Sequence, residues 1–232
     1  MSKMAIFAEG YTEVVFVERL INELANQNHV RIDVRAVRGG TNVRRTCRLV
    51  RAGMPHPQQN RFVLIYDCGG DVAVKTRMME EYDNLIKASY VIIICLRDVR
   101  PKYQLGDVHL LRQSLPLYVK TRPVTVHFLL SIMEIEAWFL AEATHYERID
   151  PSITIEVIKN TCGFDPVIDD MQLRPFPAND LNNCYSIGGK IYEKANPANT
   201  VASLDYNEVC LNIAPKFNDL QRLIDLIGGF LF

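Results

Sequence analysis

The sequence has no apolar run approaching the ~20 residues that a membrane-spanning helix requires. It opens "MSKMAIFAEG", straight into a strand, with no cationic leader, long apolar stretch or small-residue cleavage site, so the expected location is the cytoplasm. Charge of either sign is not in excess. With 26 basic against 27 acidic residues the net charge is −1, which excludes a protein that coats nucleic acid through bulk charge but leaves local patches open. Paired cysteines are missing too: Cys47, Cys68, Cys95, Cys162, Cys184 and Cys210 are scattered, with no CxxC, which argues against a zinc site or a disulfide framework. "SIGGK" near Lys190 lacks the spacing of a P-loop, and "FAEG" lacks GxGxxG, so ATP hydrolysis through a P-loop and dinucleotide binding are both disfavoured.

What is there is an ordered set of apolar runs, each closed by acidic residues. "MAIFAEGYTE" ends in Glu9 and Glu13, "RFVLIYDCGGD" in Asp67 and Asp71, "YVIIICLRD" in Asp98, and "VTVHFLLSIMEIE" in Glu134 and Glu136. Continuous apolar runs suit a parallel sheet covered on both faces. Helical periodicity follows the first run, where Val17, Leu20, Ile21 and Leu24 share a face, and "AVKTRMMEEYDNLIKAS" follows "RFVLIYDCGGD". Strand–helix alternation to about residue 130 predicts a doubly wound α/β core over 1–130 with a mostly parallel sheet. "VRIDVRAV" is predicted as a strand, "NVRRTCRLVRAG" and "VHLLRQSLPLYVK" as helices, and "SIMEIEAWFLAEA" as a helix. Residues 131–232, rich in Pro, Asn and Asp, are predicted to form a lid of short helices and loops packed on that core.

In such a fold the carboxyl ends of parallel strands line one crevice, and carboxylates gathered there repel unless neutralised. A divalent cation with oxygen ligands, Mg²⁺ or Mn²⁺, is the usual neutraliser. Glu9, Asp67 and Asp98 are the candidate catalytic ligands, with Glu13, Asp71, Glu134 and Glu136 completing or orienting the shell. All but Glu136 have a structural alternative. Glu9 and Glu13 suit the dipole of the following helix, and Asp71 can N-cap the next one. Asp67 can simply start a loop, and Asp98 can pair with a neighbouring arginine. Ser131 to Glu134 spells a capping box. On a helix, Glu134 and Glu136 project to nearly opposite faces and do not easily share one ion. His127 reads as core, whereas His145 could approach the site. Arginines concentrate over 31–51, and Arg44, Arg48 and Arg51 share a face of the predicted helix; with Arg97, Arg100 and Lys102 they form a candidate track for phosphate backbones.

"FAEGYTE" after a first strand, an Asp closing the third, and "MEIEAW" together resemble the Toprim fold, over roughly residues 1 to 142. The nearest similarity is to stand-alone Toprim-like proteins of bacterial defence loci, related to OLD-type nucleases. The resemblance implies a Mg²⁺-dependent nuclease acting on DNA or RNA in anti-phage defence, and a separate ABC-type ATPase partner; a homo-oligomer is also open. The chain departs from the Asp-x-Asp pattern: Asp67 and Asp71 are four apart in "DCGGD", and Arg100 stands where a second Asp would follow Asp98. That departure supports the alternative of a catalytically degenerate binding or sensor module acting through a partner. A phosphoryl-transfer enzyme on small phosphates is the third possibility.

Overall fold

Four strands run parallel through the middle of the sheet, and the continuous apolar runs build them. The computed structural model describes residues 1–26, 29–40, 43–70 and 73–232; Asp71 lies outside the described residues. Strand β1 (Ser2–Ala8) is followed by α1 (Tyr11–Ala25), β2 (Val30–Gly40), β3 (Val43–Arg51), β4 (Arg61–Asp67), α2 (Ala73–Lys87), β5 (Tyr90–Asp98), α3 (Val108–Ser114) and β6 (Val126–Ser131). The six-stranded order is β3-β2-β4-β1-β5-β6. Strand β1 pairs in parallel with β4 and β5, and β2 with β4. The α/β, mostly parallel architecture is as expected.

The chain divides into two compact units. The first holds Met1–Arg97, His109–Leu130 and Asp225–Phe232; the second holds Asp98–Val108 and Ser131–Ile224. In the first unit, helix α1 carries the chain from β1 to β2 on one side of the sheet order and α2 from β4 to β5 on the other. Right-handed crossovers therefore put them on opposite faces. Ala5, Phe7, Leu64 and Tyr66 pack with Val74, Met78 and Tyr82 of α2 in one apolar cluster, with the Phe7 and Tyr66 rings stacked at 4.4 Å. Burial raises the thiols of Cys68 and Cys95, which act here as small apolar side chains.

The segment predicted as a helix over 43–51 is instead strand β3, antiparallel to β2. Nearly every β3 residue is exposed, so no burial periodicity marks it; the ladder to β2 holds it. Gly39 makes the return possible, with φ of +85° and a position where a Cβ would lie 2.5 Å from the Arg44 carbonyl oxygen. The register pairs Val34 with Arg51, Ala36 with Arg48 and Arg38 with Thr46, and it shifts between Val34 and Arg35. That irregularity leaves Arg48 and Arg51 on one face, and Arg44, two before Thr46, falls there as well. Arg51 pairs with Glu18 of α1, and Arg45, on the other face, pairs with Glu80 of α2.

The second unit is built from short helices: α4 (Glu136–Ala141), α5 (His145–Ile149), α6 (Ile155–Cys162), α7 (Pro177–Ile187), α8 (Ala198–Ser203) and α9 (Tyr206–Glu208). Helix α10 (Asn218–Leu231) closes the chain. The helix predicted from residue 131 begins only at Glu136, and that predicted from residue 108 stops at Ser114. Among the described residues no helix is long and apolar enough to cross a membrane.

Candidate carboxylate–lysine centre

The first unit's acidic residues have local partners. Ala8 registers with Asp67, so β1 and β4 end side by side, and the Gly70 N–H donates to the Glu9 carbonyl at 2.9 Å. Glu13 reaches back to the Gly10 N–H at 2.8 Å and so serves the first turn of its own helix. Asp67 is buried, and both its oxygens are used. Oδ2 accepts from Arg38, and Oδ1 accepts from the Gly69 N–H at 3.1 Å. Arg38 also donates to the Asp67 carbonyl at 3.2 Å. Where the spacing suggested a divalent ion, a guanidinium supplies the positive charge.

The second unit gathers the rest. Asp98, the last residue of β5, accepts the Ile135 N–H on Oδ1 at 2.9 Å, which ties it to the turn before α4. Glu134 lies in that turn, before the helix begins. Its Oε2 accepts the Ala178 N–H in the first turn of α7 at 3.0 Å, a favourable end for a carboxylate. Glu136 is fully buried; its Oε1 accepts from the Tyr192 hydroxyl at 2.6 Å, while its Oε2 receives no hydrogen bond. Lys194 Nζ stands among all three, 3.6 Å from Asp98 Oδ2, 3.1 Å from Glu134 Oε1 and 3.3 Å from Glu136 Oε2.

Two expectations are corrected here. Glu134 and Glu136 do share one cation, because Glu134 precedes the helix and the rule of opposite helix faces does not apply to it. The capping box from Ser131 does not form: Ser131 ends β6, its hydroxyl makes no hydrogen bond, and Glu134 turns to α7 and Lys194.

Electrostatics follow the geometry. Burial raises the Glu136 carboxyl above its ordinary range, against the pull of Lys194 and the Tyr192 hydrogen bond. Burial alone would lower Lys194, but Glu136, Asp98 and Glu134 together push it well above the usual lysine range. The three carboxylates thus favour the charged ammonium.

No protein-family model, curated protein or solved structure matches this chain. Its chemistry therefore has to be read from the residues themselves.

The basic candidates divide by exposure. Arg44 and Arg48 are exposed on β3, whereas exposed Arg51 is tied to Glu18. Arg97 is buried and so is not presented to solvent as the phosphate track requires. Arg100 donates to the Pro175 carbonyl at 2.8 Å and lies 4.1 Å over the Phe176 ring, which fixes it within the second unit. Lys102 is exposed, 5.6 Å from the Tyr103 ring. His145 is fully buried, and its Nδ1 meets the Glu142 carbonyl at 2.5 Å.

Among the described residues no three Asp, Glu, His or Cys side chains form a ready-made metal cage. The donor set nonetheless fits a hard cation: carboxylate oxygens only, drawn together from β5 and the start of α4, with Glu136 Oε2 buried and without a hydrogen bond. Sequence reasoning missed Lys194 and Tyr192. They lie in a stretch rich in Asn and Pro, 60 and 56 residues from the glutamates they contact, and no local motif announces them.

Proposed function

We propose that this protein is a cytoplasmic Mg²⁺- or Mn²⁺-dependent nuclease, a Toprim-like phosphodiester hydrolase of bacterial anti-phage defence. The observation that carries the reading is the convergence of Asp98, Glu134 and Glu136 on a single point of positive charge, one of them fully buried. Burying carboxylates together is unfavourable unless a cation compensates, and divalent-cation sites for phosphate chemistry are built this way.

Asp98, Glu134 and Glu136 would hold the ion, which when bound supplies Lewis-acid polarisation of a phosphoryl oxygen and an acidified water. Tyr192 fixes one Glu136 oxygen, and the α7 N-terminus fixes one Glu134 oxygen, so the oxygens that face Lys194 keep their aim. Burial, which raises the Glu136 carboxyl, suits it to take up a proton. In the first unit, Arg44 and Arg48 bind backbone phosphates, and Glu9 is a further candidate ligand there. Asp67, with both oxygens engaged, is assigned to holding Arg38. The resemblance adds a separate ABC-type ATPase partner.

One observation favours a second reading. An ammonium already compensates the carboxylates, as expected of a degenerate module whose cation is built in. Incubating the full chain with duplex DNA, single-stranded DNA and tRNA, with Mg²⁺, Mn²⁺ or EDTA, separates the two. Metal-dependent cleavage that Glu136→Gln abolishes supports the nuclease. No cleavage and no metal binding leaves the degenerate module.

A further inference from the structure

Lys194 comes from residues 188–197, a stretch with no regular helix or strand between α7 and α8. Its side chain is 44% exposed, while those of Asp98, Glu134 and Glu136 are 4%, 14% and 0% exposed. Of these four side chains the lysine is the one with substantial exposure. We propose that Lys194 is a displaceable internal cation: its ammonium occupies the carboxylate centre in the resting protein, and a divalent ion enters only as the lysine swings out. The loop bearing it is thus an autoinhibitory strap. This rests on the reading of Asp98, Glu134 and Glu136 as a divalent-cation site.

The strap is pinned at points that do not involve Lys194. The Tyr192 N–H donates to Asn182 Oδ1 at 3.0 Å, and its hydroxyl donates to Glu136 at 2.6 Å. The Tyr192 ring meets that of Tyr185 edge-on at 6.2 Å. Lys190 lies 3.6 Å from Asp150, and Gly188 backs onto the same aspartate so closely that a Cβ would lie 2.6 Å from the Asp150 Cβ. The "GGK" segment, which is no P-loop, thus shapes the strap's entry. With the backbone anchored on both sides of residue 191, releasing the ammonium needs only rotations along a four-carbon stem.

The ammonium is also an incomplete partner. Three carboxylates around one positive charge stay short of neutrality, and Glu136 Oε2 lacks a hydrogen bond although Lys194 is 3.3 Å away. A divalent ion offers twice the charge and direct ligation at about 2.0–2.1 Å for Mg²⁺. Exchange is therefore a competition between two cations for one set of oxygens, and its midpoint depends on metal concentration.

The test titrates Mn²⁺ into the full wild-type chain, Lys194→Met and Lys194→Arg by calorimetry. Lys194→Met should bind at least about tenfold tighter than wild type, since a competing charge is gone. Lys194→Arg should bind no tighter than wild type. A second measurement needs no variant: brief acetylation of the wild-type chain with mass-spectrometric readout. Modification of Lys194 should rise in saturating Mn²⁺, while that of Lys87 on α2 stays level. Equal Mn²⁺ affinity in wild type and Lys194→Met, with Lys194 acetylation indifferent to Mn²⁺, overturns the strap and leaves the metal site standing. Absence of Mn²⁺ binding in wild type and both variants overturns the metal site and the strap together. If Lys194→Met does not fold, the acetylation result decides.

Discussion

His145 shows how far a single buried group can tie this fold to pH. The ring is fully buried, and because a carbonyl can only accept, Nδ1 carries the proton toward Glu142, leaving Nε2 bare and without a hydrogen bond. Burial lowers its pKa from 6.5 to about 4. A lowered folded pKa gives stability that is present above 6.5 and lost as pH falls toward 4, amounting to roughly 3 kcal/mol across that window. Glu142 works in the opposite sense: burial raises its carboxyl, so its contribution is full below 4.5 and fades as pH climbs through the raised value. Comparing wild type with His145→Asn isolates the histidine. In urea melts from pH 7.5 to 4, the variant should lose less stability than wild type, by up to that amount. Parallel curves would mean that the His145 pKa does not change on folding. Residue by residue, the acidic set was legible as chemistry but not as partnership. Glu13 and Asp67 stand at strand–helix junctions as their spacing predicts, yet each is taken up by a local donor, Gly10 or Arg38, that the sequence places in an unremarkable position.

At the scale of elements, legibility tracked burial. Strands β1, β4 and β5 are buried along most of their length, and their apolar runs are obvious. Strand β3 has no buried residue, so its composition read as a basic helix; what makes it a strand is its partner, β2, together with the return allowed at Gly39. The pairing keeps Arg44 and Arg48 on one exposed face, and the β2–β3 ladder runs on past Ala36 and Asp67, where β2 stops pairing with β4. Of the three arginines first grouped there, Arg51 is the one engaged by α1. Replacing Arg44 and Arg48 together with Gln should therefore weaken nucleic-acid binding. The slope of log affinity against log salt should flatten by about 1.4–1.8, from two lost phosphate contacts. Arg51→Gln alone should move it less. Fluorescence anisotropy at several salt concentrations reads both; an unchanged slope in the double variant would remove β3 from the interface.

For the whole molecule the expected signature of the carboxylate centre is metal-dependent stability. An ion present at 100 times its Kd stabilises by about 2.7 kcal/mol, roughly 5–10 °C in Tm for a chain of this length. Glu136→Gln should abolish that rise, and because it removes a buried charge its metal-free Tm should equal or exceed that of wild type. A large fall in metal-free Tm would show instead that Glu136 is needed to hold Lys194 and Tyr192 in place. The centre is assembled from residues 98, 134, 136 and 194, which no local pattern links. The part of the site contributed by β5 and the "EIEAW" segment was visible early, and the part contributed by the strap was not.

The position of β3 at the end of the strand order has a colloidal consequence. A long, exposed outer strand offers unpaired backbone groups to any other extended chain, and exposed Val43, Leu49 and Val50 would make such an added strand adhere. Closely spaced Arg44 and Arg48, beside Arg45 and Arg51 whose charges Glu80 and Glu18 partly offset, set like charges against like when two copies approach edge to edge. Neutralising all four should thus favour self-association, detectable as growth in light scattering at low salt. High salt, by screening the same repulsion, should push the wild-type chain in that direction as well.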